Sequence, residues 1–162
     1  MNEQPSVSEQ LYDQFDVILK DLYRRTDAEC VLLVDISGQL ISTEGQLRQG
    51  DPVQVAALAA GDVAAMAELS RQIGERDPDG SFLHEGERKS LYLFNVDDSF
   101  ILIVVFRSSR PVGLIRLFVR RAAERLHPLT DQFEQIMGQP VPVPTKEFSA
   151  GLATELEKAF DL

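Results

Sequence analysis

The sequence predicts an α/β (α+β) domain in which a five-stranded sheet is covered by helices on both faces. Three observations lead there. FILIVVF, residues 100–106, is apolar without a break, as a central strand buried on both sides must be. The pairs Ser37-Gly38, Gly86-Glu87 and Asp97-Asp98 separate apolar runs at hairpin spacing. The stretches around these strands place apolar residues every three or four positions, the helical period.

In chain order, Ser6 and Glu9 have the S-x-x-E spacing of a capping box, and Leu11, Phe15, Ile18 and Leu22 follow in helical register, so the first helix is expected over residues 7–26. CVLLVDI and QLIST, joined by Ser37-Gly38, form the first hairpin. Asp51 as N-cap, Pro52 at the first helical position and Gly74 near the end bound the second helix. Beyond the turn cluster Asp77-Pro78-Asp79-Gly80, the runs SFLHEG, RKSLYLFNV and SFILIVVF read as a three-strand meander, and the first strand, rich in valine and leucine, is expected beside the fifth. Val112, Ile115, Val119, Ala122, Leu126, Leu129, Phe133 and Ile136 then mark one long amphipathic helix. Pro128 should kink it, because proline removes the hydrogen bond to the Glu124 carbonyl.

The second helix (PVQVAALAAGDVAAMAELSRQIG) is apolar almost all round yet built largely from alanine and glycine. Val55, Leu58, Met66, Leu69 and Ile73 share one stripe; Ala57, Gly61, Ala64 and Glu68 form an adjacent line with little side chain to fill it. The larger stripe is expected to pack inward and the smaller one to receive a second surface.

The folded domain is expected over residues 1–137. Residues 138–145 read as a proline-rich linker, since the alternating prolines of QPVPVPT favour an extended spacer reaching roughly 20 Å. In residues 146–162, preceded by Thr145 as a cap, Phe148, Leu152, Leu156 and Phe160 repeat every fourth position among Glu147, Glu155, Glu157 and Asp161. Such an acidic amphipathic helix is too short to hold alone in water, so it either folds back on its own domain or orders on a partner.

Asp and Glu number 26 against 16 Lys and Arg, giving a net charge of −10, which repels nucleic acid and anionic membranes. Against this background Arg107, Arg110, Arg116, Arg120, Arg121 and Arg125 form a basic strip, either a solvated helix face or a dock for an acidic partner. No aromatic residues interleave with it in the manner of a single-strand nucleic-acid binder. The single cysteine, Cys30, makes neither a bridge nor a thiolate metal site and suits a reducing cytoplasm. MNEQPSVSEQ lacks the pattern of a secretory signal, and no apolar run is expected to span a bilayer.

Catalytic chemistry is not legible. His84 and His127 lie on different elements without a second nitrogen ligand at metal spacing. His84-Glu85-Gly86-Glu87 reads as a solvated hairpin tip, and Asp97 and Asp98 as turn carboxylates solvated by water. The phosphate loop, the dinucleotide glycine fingerprint and the nucleophile elbow are missing from the sequence. No catalytic residue, metal ligand or cofactor is expected.

The segments VLLVDISGQLIS, LAAGDVAAMAELSRQIGE, FLHEGERKSLYLFNV and ILIVVFRSSRPVGLIRLFVRRAAERL, in this order, resemble the roadblock (dynein light chain type) family. They are most similar to its bacterial subgroup, which regulates small Ras-like GTPases of the MglA type in gliding motility and cell polarity; the resemblance spans residues 7–137. It implies an antiparallel sheet in the order two, one, five, four, three, with helices one and three on one face and helix two on the other. It also implies a homodimer built through strand three and helix two, placed in the cytoplasm or at a cell pole. The GTPase would contact Ala57, Ala60, Gly61, Ala64, Ala65 and Glu68. A second partner face, for other polarity or roadblock proteins, would use Asp13, Gln14, Arg120 and Arg121, and the tail would reach the GTPase through Phe148, Leu152, Leu156 and Phe160 and assist nucleotide exchange.

The implied activity is acceleration of GTP hydrolysis in trans by holding the GTPase's own switch and catalytic residues in place. Arg71 and Arg76 lie near the end of helix two, but the subgroup donates no arginine. Glu68 departs from the small-residue line: a carboxylate there either pairs with a basic group of the partner or weakens a close interface. The same fold also serves adaptors that tether proteins without changing hydrolysis.

Overall fold

The computed structural model describes residues 4–76, 80–138 and 153–159. A capping box starts α1 (Val7–Thr26): the Glu9 amide donates to Ser6 Oγ at 3.2 Å and the Ser6 amide to Glu9 Oε2 at 2.9 Å. There follow β1 (Cys30–Asp35), β2 (Leu40–Gly45), α2 (Pro52–Gln72), β3 (Ser81–His84), β4 (Lys89–Val96), β5 (Phe100–Arg107), α3 (Val112–Leu126), a 3₁₀ turn (His127–Leu129) and α4 (Thr130–Met137). Residues 153–159 are helical and exposed. The Asp77-Pro78-Asp79 turn, the linker from residue 139 onward and the tail residues Phe148, Leu152 and Phe160 lie outside the described residues.

The sheet has the order β2-β1-β5-β4-β3 and is antiparallel throughout, which is the expected architecture. The unbroken apolar character of β1 and β5 follows from burial on both faces. Val31 and Leu33 with Phe100, Leu102, Val104 and Phe106 face α1 and α3; Cys30, Leu32 and Val34 with Ile101, Ile103 and Val105 face α2. On the α1/α3 side the Phe15 and Phe100 rings meet edge to face at 5.3 Å and Phe100 lies 4.8 Å from Phe133. On the α2 side burial pushes the Cys30 thiol above its ordinary pKa, which keeps it neutral beside Thr43.

Three expectations need correction. The long C-terminal helix is not one kinked rod: α3 ends at Leu126, a 3₁₀ turn carries Pro128, and α4 resumes at Thr130, whose hydroxyl donates to the His127 carbonyl at 2.8 Å. The apolar register nevertheless survives, because Ile115, Val119, Ala122, Leu126, Leu129 and Phe133 are all buried.

The second correction concerns α2. Its inward face is Ala56, Ala59, Ala60 and Val63, while Leu58, Leu69 and Ile73 stand 73%, 56% and 75% exposed. Small residues therefore face the sheet, because the helix sits very close to it. At Gly38 (φ +96°), in the β1–β2 turn, a Cβ would lie 3.1 Å from Ala57 Cα and 3.3 Å from Ala60 Cβ. A larger side chain on either surface would push them apart.

The third concerns membranes. Among the described residues α2 alone is long enough and, on average, apolar enough to cross a bilayer. Alanine raises that average without making the helix lipid-like: it carries Asp62 and Glu68, and one face packs on the sheet.

Candidate interaction surface

Helix α2 lies on the sheet by one face and offers two exposed flanks. Asp51 caps its start, accepting the Val53 amide at 2.9 Å, and Pro52 occupies the first turn. The first flank carries Ala57, Gly61, Ala64 and Glu68, with Ala65 at the crest between the flanks, all exposed. Ala60 does not belong with them: it is buried against the sheet, so of the expected GTPase contacts it is the one the structure removes from the surface.

The second flank carries Leu58, Asp62, Met66, Leu69 and Ile73. Asp62 Oδ2 lies 2.7 Å from His84 Nε2 at the end of β3, which sets this flank toward the open edge of the sheet. Large exposed apolar side chains beside an unpaired strand edge are the usual signature of a protein interface. Sequence reasoning singled out this stripe and turned it inward; the glycine in the β1–β2 turn was the signal that small residues belong beneath the helix.

Glu68 is already engaged within its own chain. It accepts Arg71 Nη2 at 2.6 Å and Nε at 2.9 Å, together with Gln72 Nε2 at 2.7 Å. The bonds to Arg71 and Gln72 hold the Glu68 carboxyl below its usual pKa, and Glu68 raises that of Arg71. Both side chains are exposed, so the pair is weak and can exchange for partners on another surface. Arg71 and Arg76 line a depression with Val63, Ala67, Phe82 and Asn95, beside the first flank.

The expected second face is dispersed. Asp13 and Gln14 line a groove with Val17, Arg125 and Pro128; Arg121 lines a neighbouring hollow with Asp21, Arg25 and Phe118. Arg120 instead faces the β4 side with Asp97, Glu124 and His127. Arg120 and Arg121, adjacent in sequence, thus point to different sides of α3. The basic strip divides in the same way. Arg125 pairs with Asp21 at 3.2 Å, Arg25 and Arg121 stack over Phe118 at 5.5 and 5.6 Å, Arg110 pairs with Asp27, and Arg107 ends β5 at a separate site.

The carboxylates of the β4–β5 turn are not merely solvated, as expected from sequence. Asp97 pairs with His127 Nδ1 and Asp98 Oδ1 accepts Asn95 Nδ2 at 2.7 Å. Asp97, helped by Asp131, raises the His127 pKa above its ordinary value near 6.5. A raised histidine pKa stabilises the fold fully below the unfolded value, and that contribution is lost as pH rises through the folded value. The melting temperature should therefore fall as pH rises above about 6.5, and His127→Gln should flatten that dependence, as read by circular dichroism melts at successive pH values.

Of the expected tail contacts Leu156 is the one described, and it is exposed on the 153–159 helix. Among the described residues no cluster of His, Cys, Asp and Glu suits a metal ion.

With this geometry in place, comparison with known proteins is specific. A sequence model of the Roadblock/LC7 domain matches residues 14–106. The solved structure of MglB from Myxococcus xanthus is 32% identical, covering 82% of this chain and 96% of its own, with a TM-score of 0.70. The gliding protein MglB from Thermus thermophilus is 26% identical over 80% of this chain and 95% of its own, with a TM-score of 0.67. An MglB solved in a tetrameric arrangement is 26% identical over 80% of this chain and 94% of its own, with a TM-score of 0.70. No curated protein sequence matches significantly.

Proposed function

Because the chain belongs to the Roadblock/LC7 family and carries an MglB-like fold, we propose that it is a homodimeric regulator that binds a small Ras-like GTPase of the MglA type. It accelerates GTP hydrolysis by positioning the GTPase's own residues and is not itself an enzyme. The observation that carries this reading is the double-flanked α2. Its Leu58, Leu69 and Ile73 side, beside the open β3 edge, suits a twin subunit, and its Ala57, Gly61 and Ala64 side suits close approach of a client. In this reading Glu68 releases Arg71 to meet a basic group on the GTPase. The tail adds a second contact through Leu156 and its neighbours and assists nucleotide exchange, and the protein works in the cytoplasm at a cell pole, in polarity or gliding.

The test is single-turnover GTP hydrolysis by the Ras-like GTPase encoded nearest this gene, with and without a two-to-one excess of this protein. Acceleration is expected, and it should survive Arg71→Ala and Arg76→Ala with little change. A donated arginine would instead contribute about 10³–10⁵ in rate, and a loss of that size in either variant would reverse the assignment. Tight binding with an unchanged rate would make the protein an adaptor.

A further inference from the structure

A basic concavity lies at one end of the sheet. At the sheet end where β1 and β4 begin and β2 and β5 finish, a depression of about 650 Å³ is lined by Tyr23, Glu29, Arg48, Arg88, Lys89 and Arg107, with Asp27 at its rim. Both acids are satisfied. Glu29 accepts Lys89 Nζ at 2.7 Å and the Arg48 amide at 3.1 Å, bonds that hold its carboxyl below the usual range, and Asp27 pairs with Arg110. No carboxylate among the described residues hydrogen-bonds the guanidinium groups of Arg48, Arg88 or Arg107. Three arginines thus line one hollow of a chain whose net charge is −10, Arg48 lying close enough to Glu29 to help lower its pKa. They come from three separate places: the loop after β2, the β3–β4 turn and the end of β5.

We propose that this hollow binds a small, multiply charged phosphate group. Guanidinium forks match phosphate oxygens two at a time, and a surplus of positive charge favours a ligand bearing two or more negative charges over a single carboxylate. Backbone pairing fixes the walls: Lys89 lies opposite Arg107 in the β4–β5 register, and the Ser108 amide donates to the Arg88 carbonyl at 2.9 Å, which anchors the backbone of the β3–β4 turn one residue beyond that pair. The hollow is at the opposite end of the sheet from the Gly38 turn that abuts α2. Occupancy therefore does not compete with the flank assigned to the GTPase, whereas Arg88, in the turn after β3, borders the edge assigned to the twin.

Calorimetric titration of the full chain with inorganic pyrophosphate tests the site, with a parallel sedimentation arm using phosphatidylcholine vesicles with and without phosphatidic acid. Saturable binding at one site per chain is expected, weakened about tenfold or more by Arg88→Gln and by Arg107→Gln. Arg116→Gln, on an exposed face of α3, should leave it unchanged. Arginine-dependent binding to pyrophosphate places the ligand in solution; the same dependence with phosphatidic acid vesicles alone places it on a lipid headgroup. No saturable binding in either arm, equal loss in Arg116→Gln, or equal affinity for citrate would overturn the proposal. Unchanged circular dichroism of the variants excludes misfolding as the cause.

Discussion

Ala64→Arg is expected to weaken GTPase binding by more than about 100-fold while leaving the subunit folded. Ala64 stands on the exposed flank of α2, one turn from Gly61 and Glu68, where the absence of side chain lets another surface approach the helix. An arginine there would hold that surface away, or be buried against it unpaired, at about 3–5 kcal/mol. In the free protein the same side chain extends into water from a helix whose interior arginine tolerates well, so stability should shift by no more than about 0.5 kcal/mol. Titration of the variant into GTPase loaded with a non-hydrolysable GTP analogue, beside a thermal melt, reads both quantities. Retained binding would remove this flank from the interface.

Phe100→Ala should destabilise the domain by about 3–5 kcal/mol, a large part of the margin of a domain this size. Phe100 is fully buried at the start of β5, pairs with Asp35 of β1 and Val96 of β4, and joins α1 to α4 through Phe15 and Phe133. Truncation would leave a cavity where three elements meet, and strands on both sides resist its collapse. Urea unfolding followed by far-UV circular dichroism gives the difference; a loss below about 1 kcal/mol would mean that the ring cluster repacks.

Most of the architecture was readable before the structure, because period and punctuation agree with each other at each element and the family resemblance supplied the strand order. Ser6 and Glu9 cap α1, Asp51 and Pro52 start α2, and the unbroken apolar runs of β1 and β5 report two covered faces. What could not be read is distance. The spacing of Leu58, Leu69 and Ile73 names a stripe but not its direction, and bulk alone pointed inward, where of that stripe Val55 does pack on the core; the deciding fact is how near the Gly38 turn comes to the helix axis, a non-local quantity. For the same reason Arg120 and Arg121 looked like one patch although α3 turns them apart, and Asp97 looked solvated although a residue thirty positions on, His127, reaches it.

The alanines of α2 are alike in chemistry and unlike in cause. Ala56, Ala59 and Ala60 are small because of what lies beneath them, and the sheet alone is enough to keep them so. Ala57, Ala64 and Ala65 face water, where the subunit by itself would accept nearly any helix former. Under the proposed function one helix answers to two demands with different reach: the inner alanines to survival of the fold in any setting, the outer ones only while a client is there to be accommodated. A lineage that lost its client would be free to diversify the second set and not the first.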